Sequence, residues 1–193
     1  MSAPILRALS LAIAAALASV APAPARAEAP AAAQKPAVRD GQRDFDWLIG
    51  KWTLKVRRLK KPLSGSREWY EMTGTSVVRP IWGGKANIEE LTATGPDGPM
   101  EAIMVRLYSP ASGQWSLNWA NRKNGRFDVP TIGQFRNGRG EFYDQEMFEG
   151  RMIMVRYVWS NTHGKRPHFE QSYSADGGKT WEANWVADQT RIE

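Results

Sequence analysis

The chain has 193 residues, of which 42% are hydrophobic and 24% are charged, and it contains no cysteine. These values are typical of a soluble globular protein, and they exclude collagen, a long coiled coil and wholesale disorder. The lack of cysteine also excludes a disulfide framework and a zinc site with cysteine ligands.

The first residues have the composition of a secretory signal. Arg7 supplies a positive charge, and a 13-residue run from Ala8 to Val20 is apolar except for Ser10 and Ser19. Ala25-Arg26-Ala27 fits a small-x-small cleavage site. A helix of that length spans about 20 Å, short of the roughly 30 Å hydrocarbon core, so no stable membrane anchor is expected. We predict a signal peptide over 1–27, cleavage near Ala27 and a periplasmic or secreted product.

Cleavage at that point removes two arginines and no acid, which leaves a formal net charge of +4. An exported chain of such mild, mixed charge is not expected to bind nucleic acid. Residues 28–43 are alanine, proline and polar residues with little to bury, so we predict a flexible lead-in there. The predicted domain covers 44–193, a length that supports a core without added crosslinks.

Regularly spaced glycines divide this domain into short segments rich in tryptophan, valine, isoleucine, threonine and tyrosine. Many of these segments alternate apolar and polar residues with a period of two, which predicts strands. The ten predicted strands are 52–60, 67–79, 86–94, 100–109, 114–122, 131–136, 140–146, 152–160, 166–174 and 181–190. One helical turn is predicted at Asp44–Ile49.

The connections between these strands are short, so strands that follow each other in the chain should be neighbours in the sheet. Asn137-Gly138 and Asp176-Gly177 are predicted hairpin turns, because both positions tolerate a positive φ. Ten antiparallel strands leave two open edges unless the sheet closes. The sequence therefore predicts an all-β fold, a closed antiparallel up-and-down β-barrel, with a two-sheet sandwich as the alternative.

Gly50-Lys51-Trp52 opens the first predicted strand and resembles the Gly-x-Trp signature of lipocalins and the wider calycin group. In that family the tryptophan plugs the closed end of the barrel and an arginine near the last strand lies across its ring. The resemblance implies these roles for Trp52 and Arg191, a cation–π contact.

A longer stretch, Arg166 to Trp185, preceded by Arg156-x-x-Trp159, is similar to a secreted bacterial lipocalin-like family, the domain of unknown function 1579 type. The resemblance covers essentially all of 44–193. It implies a calycin-like barrel and brings no assigned activity, so no catalytic residues are predicted.

Ser174-x-Asp176-x-Gly178-x-Thr180-Trp181 also fits the Asp-box pattern of sialidase propellers. A single copy cannot form a propeller, so the pattern predicts a rigid hairpin in which Asp176 binds turn amides and Trp181 packs beneath. The predicted structural residues are Gly50, Trp52, Arg191, Asp176 and Trp181.

Metal and cofactor sites find little support in the sequence. His163 and His168 are five residues apart, which places them on opposite faces of a strand. His168 is the candidate for a haem ligand, but a surface position at the start of a strand is favoured for it. No metal site, no cofactor and no nucleophile elbow are predicted.

Charged residues in the middle of strands are the remaining candidates for chemistry. Inside an apolar barrel, the carboxyl groups of Glu71 and Glu170 would have a raised pKa and could move protons. Arg106 and Arg156 could clamp a ligand carboxylate or phosphate if buried, or form surface ion pairs if exposed. The opposite faces of their strands are more apolar, which favours the exposed position.

Nine tryptophans are more than a core of this size requires. A cavity lined by several of them, with polar tips such as Asn118 and Asn184, would suit a small apolar or aromatic molecule. The predicted ligand-binding residues are Trp69, Glu71, Arg106, Asn118, Trp119, Arg156, Trp159, Glu170, Asn184 and Trp185. Two alternatives stay open: a plugged barrel that serves as an envelope interaction module, and an isomerase, cyclase or hydratase that uses a carboxylate.

Overall fold

The computed structural model describes residues 39–192; the predicted signal peptide and the lead-in up to residue 38 lie outside the described residues. The described chain forms 11 strands and two short 3-10 helices, Asp46–Leu48 and Trp82–Gly84. The strands are β1 (Gly50–Leu59), β2 (Trp69–Ile81), β3 (Ala86–Gly95), β4 (Gly98–Ser109), β5 (Gln114–Asn121), β6 (Arg126–Phe127), β7 (Thr131–Arg136), β8 (Arg139–Phe148), β9 (Arg151–Ser160), β10 (His168–Ser174) and β11 (Glu182–Arg191).

The sheet closes on itself. The strand order is β4-β3-β2-β1-β11-β10-β9-β8-β7-β5, and β5 returns to pair with β4, all antiparallel. The two-residue β6 pairs only with the end of β5 and is not one of the strands that close the barrel. Ten strands therefore form the closed up-and-down barrel that the sequence predicts, and the sandwich alternative is excluded. β6 was not predicted.

Alternation along each strand decides which side chains face the interior. On β1, Trp52, Leu54 and Val56 are buried while Thr53 and Lys55 between them are exposed. Successive side chains of a strand point to opposite faces, so every second residue of each barrel strand faces the interior. This pattern brings the core and any cavity to the barrel axis.

One end of the barrel is filled by the segment before β1. The plug, residues Phe45–Ile49, puts Phe45 in edge contact with Trp115 at 5.1 Å between ring centroids. The indole Nε1 of Trp52 donates to the carbonyl of Leu48 at 2.7 Å. The guanidinium of Arg191 lies 4.1 Å above the Trp52 ring and donates to the carbonyl oxygens of Trp47 and Ile49. This is the arrangement that the lipocalin resemblance implies for Trp52 and Arg191.

The ordered domain begins before the predicted boundary at residue 44. Gly41, placed in the flexible lead-in by its composition, is buried. Its carbonyl accepts a hydrogen bond from Trp115 Nε1 at 2.9 Å, and its amide donates to the Tyr108 hydroxyl at 2.8 Å. The flexible assignment of 39–43 is therefore corrected, because these backbone groups complete the hydrogen bonds of core aromatic residues.

The two predicted hairpin turns differ in detail. Asn137 and Gly138 both have positive φ, 51° and 76°, as a two-residue hairpin requires. In the second turn the positive φ values fall on Gly177 and Gly178 instead of Asp176. The Asp176 carboxylate accepts hydrogen bonds from the amide nitrogens of Lys179 and Thr180 at 3.0 and 2.9 Å, so one side chain holds the whole turn.

Candidate functional site

A cavity of about 150 Å³ lies inside the barrel next to the plug. Strands β1, β3, β4, β5 and β8 to β11 line it, together with Asp128 and Val129 from the connection between β6 and β7. Six aromatic side chains form much of its wall: Trp119, Tyr157, Trp159, Phe169, Tyr173 and Trp185. Period two places them here, because each occupies an inward position of its strand.

The aromatic rings of the cavity wall pack against one another. Trp119 and Trp185 pack at 5.7 Å between centroids with an interplanar angle of 83°. Phe169 contacts Trp159 at 4.9 Å and Tyr157 at 5.2 Å. Aromatic pairs at these centroid distances stabilise each other beyond the area they bury, so these contacts support the wall.

Arg106 enters the cavity wall from β4 and is 1% exposed. Its Nη2 lies 2.5 Å from the carboxylate of Glu89, its Nη1 donates to Asn87 at 3.1 Å, and its guanidinium lies 5.2 Å from the centroid of Phe45. The sequence favoured an exposed Arg106, and that prediction is wrong. Glu89 and Asn87 project inward from the neighbouring β3 and compensate the buried charge.

An acidic wall faces the aromatic rings. Asp144 and Glu146 follow the core residue Phe142 on the inward face of β8, and Asp128 joins them through a backbone hydrogen bond to Trp119. Burial, with repulsion from Glu146 and Asp128, raises the pKa of Asp144 to about 7. Burial and Asp128 also raise the pKa of Glu146. These carboxyl groups titrate closer to neutrality than solvated ones do.

The remaining polar groups of the cavity are two phenols and a second arginine. Burial raises the pKa of Tyr157 well above its ordinary value and that of Tyr173 to about 12. Both therefore keep their hydroxyl proton at neutral pH and can donate it in a hydrogen bond. Arg58 of β1 lies over the Trp185 ring with its Cζ 4.4 Å from the centroid.

Four buried polar atoms of the cavity lining have no hydrogen-bond partner among the described residues: Arg106 Nε, Trp159 Nε1, Asp144 Oδ1 and Gln189 Oε1. Two of them are donors and two are acceptors. Buried polar groups are normally hydrogen-bonded, so this concentration in one cavity marks it as the place where a small polar group would be held.

Four of the predicted ligand-binding residues line this cavity: Arg106, Trp119, Trp159 and Trp185. Asn184 is also buried, but it lines a neighbouring recess at the rim, where its side-chain oxygen accepts from Gln171 Nε2 at 2.8 Å. The structure thus brings four of the ten predicted residues together around this cavity.

The other five lie outside both the cavity and the recess, and this corrects their predicted location. Arg57 covers the Trp69 ring at 5.5 Å and pairs in register with the exposed Glu71. Both residues of β2 therefore belong to the outer surface. Glu71 thus has neither the enclosed position nor the apolar surroundings that the carboxylate hypothesis requires.

Arg156 and Glu170 form a 3.6 Å ion pair with each other on the outer side of β9 and β10, and Arg156 stacks 4.5 Å over Trp181. Arg156 therefore lies on the outer face of its strand, as the sequence favours. It is half-buried there and not fully exposed. Asn118 uses its amide on the carbonyls of Val105 and Ser116.

Sequence reasoning missed the acidic residues of the cavity and the partner of Arg106. A signal existed in Phe142, Asp144 and Glu146, which continue one period-two face that begins with a large aromatic residue. Glu89 and its neighbour Glu90 lie on opposite faces of β3: Glu89 pairs with the buried Arg106, and Glu90 pairs with the exposed Arg79. Arg58, which is not among the predicted ligand-binding residues, also lines the cavity.

Within residues 39–192 no group of three or more histidine, aspartate and glutamate side chains is arranged to hold a metal ion. No helix in that part of the chain is long and apolar enough to cross a membrane.

Comparisons with known proteins give a likeness in structure but none in sequence. No protein-family model matches the chain, and no curated protein matches it. The fold is similar to that of the S-type phycobiliprotein lyase CPES from Guillardia theta, with a TM-score of 0.51 and 8% identity. The match covers 80% of this chain and 94% of the lyase chain. At this identity the likeness shows the fold alone: the chain is a lipocalin-like, closed antiparallel barrel of ten strands.

Proposed function

We propose that this chain binds a small apolar or aromatic molecule inside its barrel. The observation that carries the proposal is the cavity next to the plug, which combines six aromatic rings with four unpartnered buried polar atoms. Ligand sites are mostly apolar concave surfaces with a few convergent polar groups that fix orientation. In a barrel filled by its own side chains, these four polar atoms would be expected to have hydrogen-bond partners in the protein.

The size of the cavity limits the part of the ligand that it encloses. A volume of about 150 Å³ accommodates roughly one benzene-sized ring. A larger molecule would extend past Trp119 and Trp185 toward the exposed segment 126–130, which borders the cavity through Asp128 and Val129. We therefore expect a ligand with one ring buried and the rest near this segment.

The structural neighbour adds a candidate for the ligand panel. It is described as a phycobiliprotein lyase, so a flat, pigment-like molecule belongs among the compounds to be tried. The ligand class itself rests on the rings of this chain, since the likeness to the lyase concerns the fold.

We also propose that the mature protein is exported. Residues 1–27 carry the signal pattern: Arg7, the apolar run from Ala8 to Val20 and the small-x-small site Ala25-Arg26-Ala27 support this proposal. Native mass spectrometry of protein purified from the periplasm, without refolding, should find a chain that starts at Glu28 and carries a ligand of small mass. A chain that retains residues 1–27 in the cytoplasm would refute export.

A fluorescence titration tests binding directly. Trp119 and Trp185 line the cavity, while Trp82 is 69% exposed on another part of the barrel. A bound aromatic molecule should quench the protein's tryptophan fluorescence with saturation, and a Trp119→Phe, Trp185→Phe variant should lose most of that quench. The matched control, Trp82→Phe, should keep it. Failure of every panel compound, together with a bare chain in the mass spectrum, would refute the proposal.

A second candidate function, carboxylate catalysis, is favoured by one observation only. The pKa of Asp144 is raised to about 7, which suits a general acid or base near neutral pH. Asp144 takes the place of Glu71 and Glu170 in this hypothesis, because those two lie outside the cavity. Loss of turnover with retained ligand binding in Asp144→Asn would establish it; turnover that survives the substitution would remove it.

A further inference from the structure

The charge of the cavity is opposite to that of the whole chain. Its lining contains four acids, Glu89, Asp128, Asp144 and Glu146, against two arginines, Arg58 and Arg106. With all six ionised the lining is negative, whereas the chain carries a formal charge of +6. A cleft lined by one sign of charge concentrates molecules of the opposite sign, so the cavity favours cations.

The acids at the β8 wall are not neutralised by the protein. Among the described residues no ion pair joins Asp144 or Glu146 to a basic side chain, and Asp144 Oδ1 has no hydrogen-bond donor. Arg106 is engaged by Glu89, which leaves no net charge from that pair. Arg58 lies against Trp185. The charge of such an uncompensated, half-buried carboxylate is balanced either by a proton or by a cation from outside.

The groups that face Asp144 come from every neighbouring wall. Glu146 shares its strand, Asp128 approaches from the connection before β7, and the phenols of Tyr157 and Tyr173 face it from β9 and β10. Arg58 and the Arg106–Glu89 pair complete the charged lining. Acids and aromatic rings on several sides form the chemical surroundings that recognise ammonium groups, through charge and through cation–π attraction.

The deep end of the cavity presents the opposite polarity. Arg106 Nε and Trp159 Nε1 are hydrogen-bond donors without acceptors, on side chains that are 1% and 4% exposed. The Arg106 guanidinium lies 5.9 Å from the Trp159 ring, so the two donors border the same region. A molecule that fits both ends needs an acceptor near these donors and a positive charge near Asp144.

From this arrangement we propose that the ligand is a small organic cation, an aromatic or apolar body with a protonated amine held by Asp144 and Glu146 and a hydrogen-bond acceptor directed at Arg106 and Trp159. The inference rests on the proposed function and narrows its ligand class. It also assigns separate roles: the rings hold the body of the ligand, the acids select its charge, and the buried donors orient it.

The pH dependence of binding follows from Asp144. Its pKa of about 7 means that the carboxyl group is mostly ionised at about pH 8 and mostly protonated at about pH 6. Affinity for the cation should therefore rise with pH across this interval. Affinity for a neutral analogue should change little, because that analogue gains nothing from the carboxylate charge.

The test compares three probes of nearly equal size by isothermal titration calorimetry: 2-phenylethylamine, 2-phenylethanol and 3-phenylpropionate. At about pH 8 we expect the amine to bind at least about tenfold more tightly than the alcohol, and the carboxylate to bind most weakly. The double variant Asp144→Asn, Glu146→Gln should bring the amine to the affinity of the alcohol. The control Glu141→Gln removes an acid from the outer face of the same strand, where it pairs with Arg139, and should keep the preference.

The outcomes separate this inference from the proposed function. Equal binding of the amine and the alcohol by the unmodified protein overturns charge selection, while binding itself stands. The same holds if the double variant, shown to be folded by its unchanged affinity for the alcohol, keeps the preference for the amine. If none of the three probes binds, both the inference and this part of the proposed function fail.

Discussion

The buried ion pair between Glu89 and Arg106 gives the sharpest test of how the barrel tolerates charge. Their side chains are 4% and 1% exposed, and Nη2 lies 2.5 Å from the carboxylate. Replacing Glu89 with glutamine keeps its shape and one acceptor oxygen but leaves the guanidinium charge uncompensated. Breaking one side of a buried pair costs about 3–5 kcal/mol, and because Asn87 still accepts from Nη1 we expect about 3 kcal/mol.

The adjacent residue provides a matched control. Glu90 pairs with Arg79 on the outer face of the same strand, with side chains 61% and 58% exposed. Exposed pairs contribute about 0–1 kcal/mol, so Glu90→Gln should change the free energy of unfolding by no more than that. Both substitutions remove one negative charge from neighbouring positions, so any difference between them reports burial.

Urea unfolding followed by tryptophan fluorescence measures the difference. With a slope of about 2 kcal/mol per molar urea, Glu89→Gln should lower the midpoint by about 1.5 M at unchanged slope. The double variant Glu89→Leu, Arg106→Met should lose less than the single one, since it removes both charges together. Equal midpoints for Glu89→Gln and Glu90→Gln would refute the reasoning that the interior depends on this pair.

Three further predictions concern the closed end, the β10–β11 turn and the acidic wall. Arg191→Ala removes two hydrogen bonds to plug carbonyls and the contact over Trp52, so thermal unfolding should show a loss of about 2–3 kcal/mol. Asp176→Asn should raise the hydrogen-exchange rate of the Thr180 amide, which donates a hydrogen bond to the Asp176 carboxylate at 2.9 Å. Asp144→Asn should stabilise the protein above pH 7 and flatten the pH dependence of its stability between about pH 4 and 7. The reason is that the raised pKa of Asp144 makes the folded state bind more protons there, so stability falls as pH rises.

Each of these has a control on the same kind of element. Arg57→Ala removes a cation–π contact on the outer surface at 5.5 Å from Trp69 and should cost clearly less than Arg191→Ala. Asp97 lies in an exposed turn elsewhere in the chain. Asp97→Asn should therefore leave the hydrogen-exchange rates of the β10–β11 turn unchanged. Asp188→Asn, on the outer face beside His168, should not stabilise the protein at neutral pH. Equal effects in variant and control would contradict the corresponding prediction.

The strands could be predicted because their signals are local. Alternation along β1 and the glycine-marked turns depend on neighbours within a few residues, and Asn137-Gly138 forms the hairpin that its φ preferences require. Closure followed from a single argument about open edges. The short β6 escaped because two residues carry no periodic pattern.

The interior side of β4 could not be predicted from its own residues. Ile103, Val105 and Leu107 form the more apolar face, yet they are only half-buried, while Arg106 is inside. The deciding information is the register with β3, which sets Asn87 opposite Arg106 and brings Glu89 within reach. Such pairing exists only in the assembled sheet. It cannot be predicted by comparing how apolar the two faces of a single strand are.

Some residues of the candidate site could be predicted from their own strand, and others could not. The tryptophans of the cavity were found because large aromatic residues at inward positions have few alternatives to the interior. Asp144 and Glu146 were missed because carboxylates in a strand ordinarily lie toward solvent. Their burial depends on a cavity that exists only when ten strands close around it.

The pairing of the first and last strands of the barrel also constrains how the molecule is made. Thr53 of β1 lies opposite Thr190 of β11, 137 residues later in the chain. Contacts between residues so far apart in sequence form late and slow the folding rate. During synthesis, β1 and β10 therefore keep unpaired edges until β11 emerges, and such edges recruit other strands. A chain shortened before Glu182 should consequently aggregate as it is produced, and its yield should depend on holdase chaperones that shield those two edges.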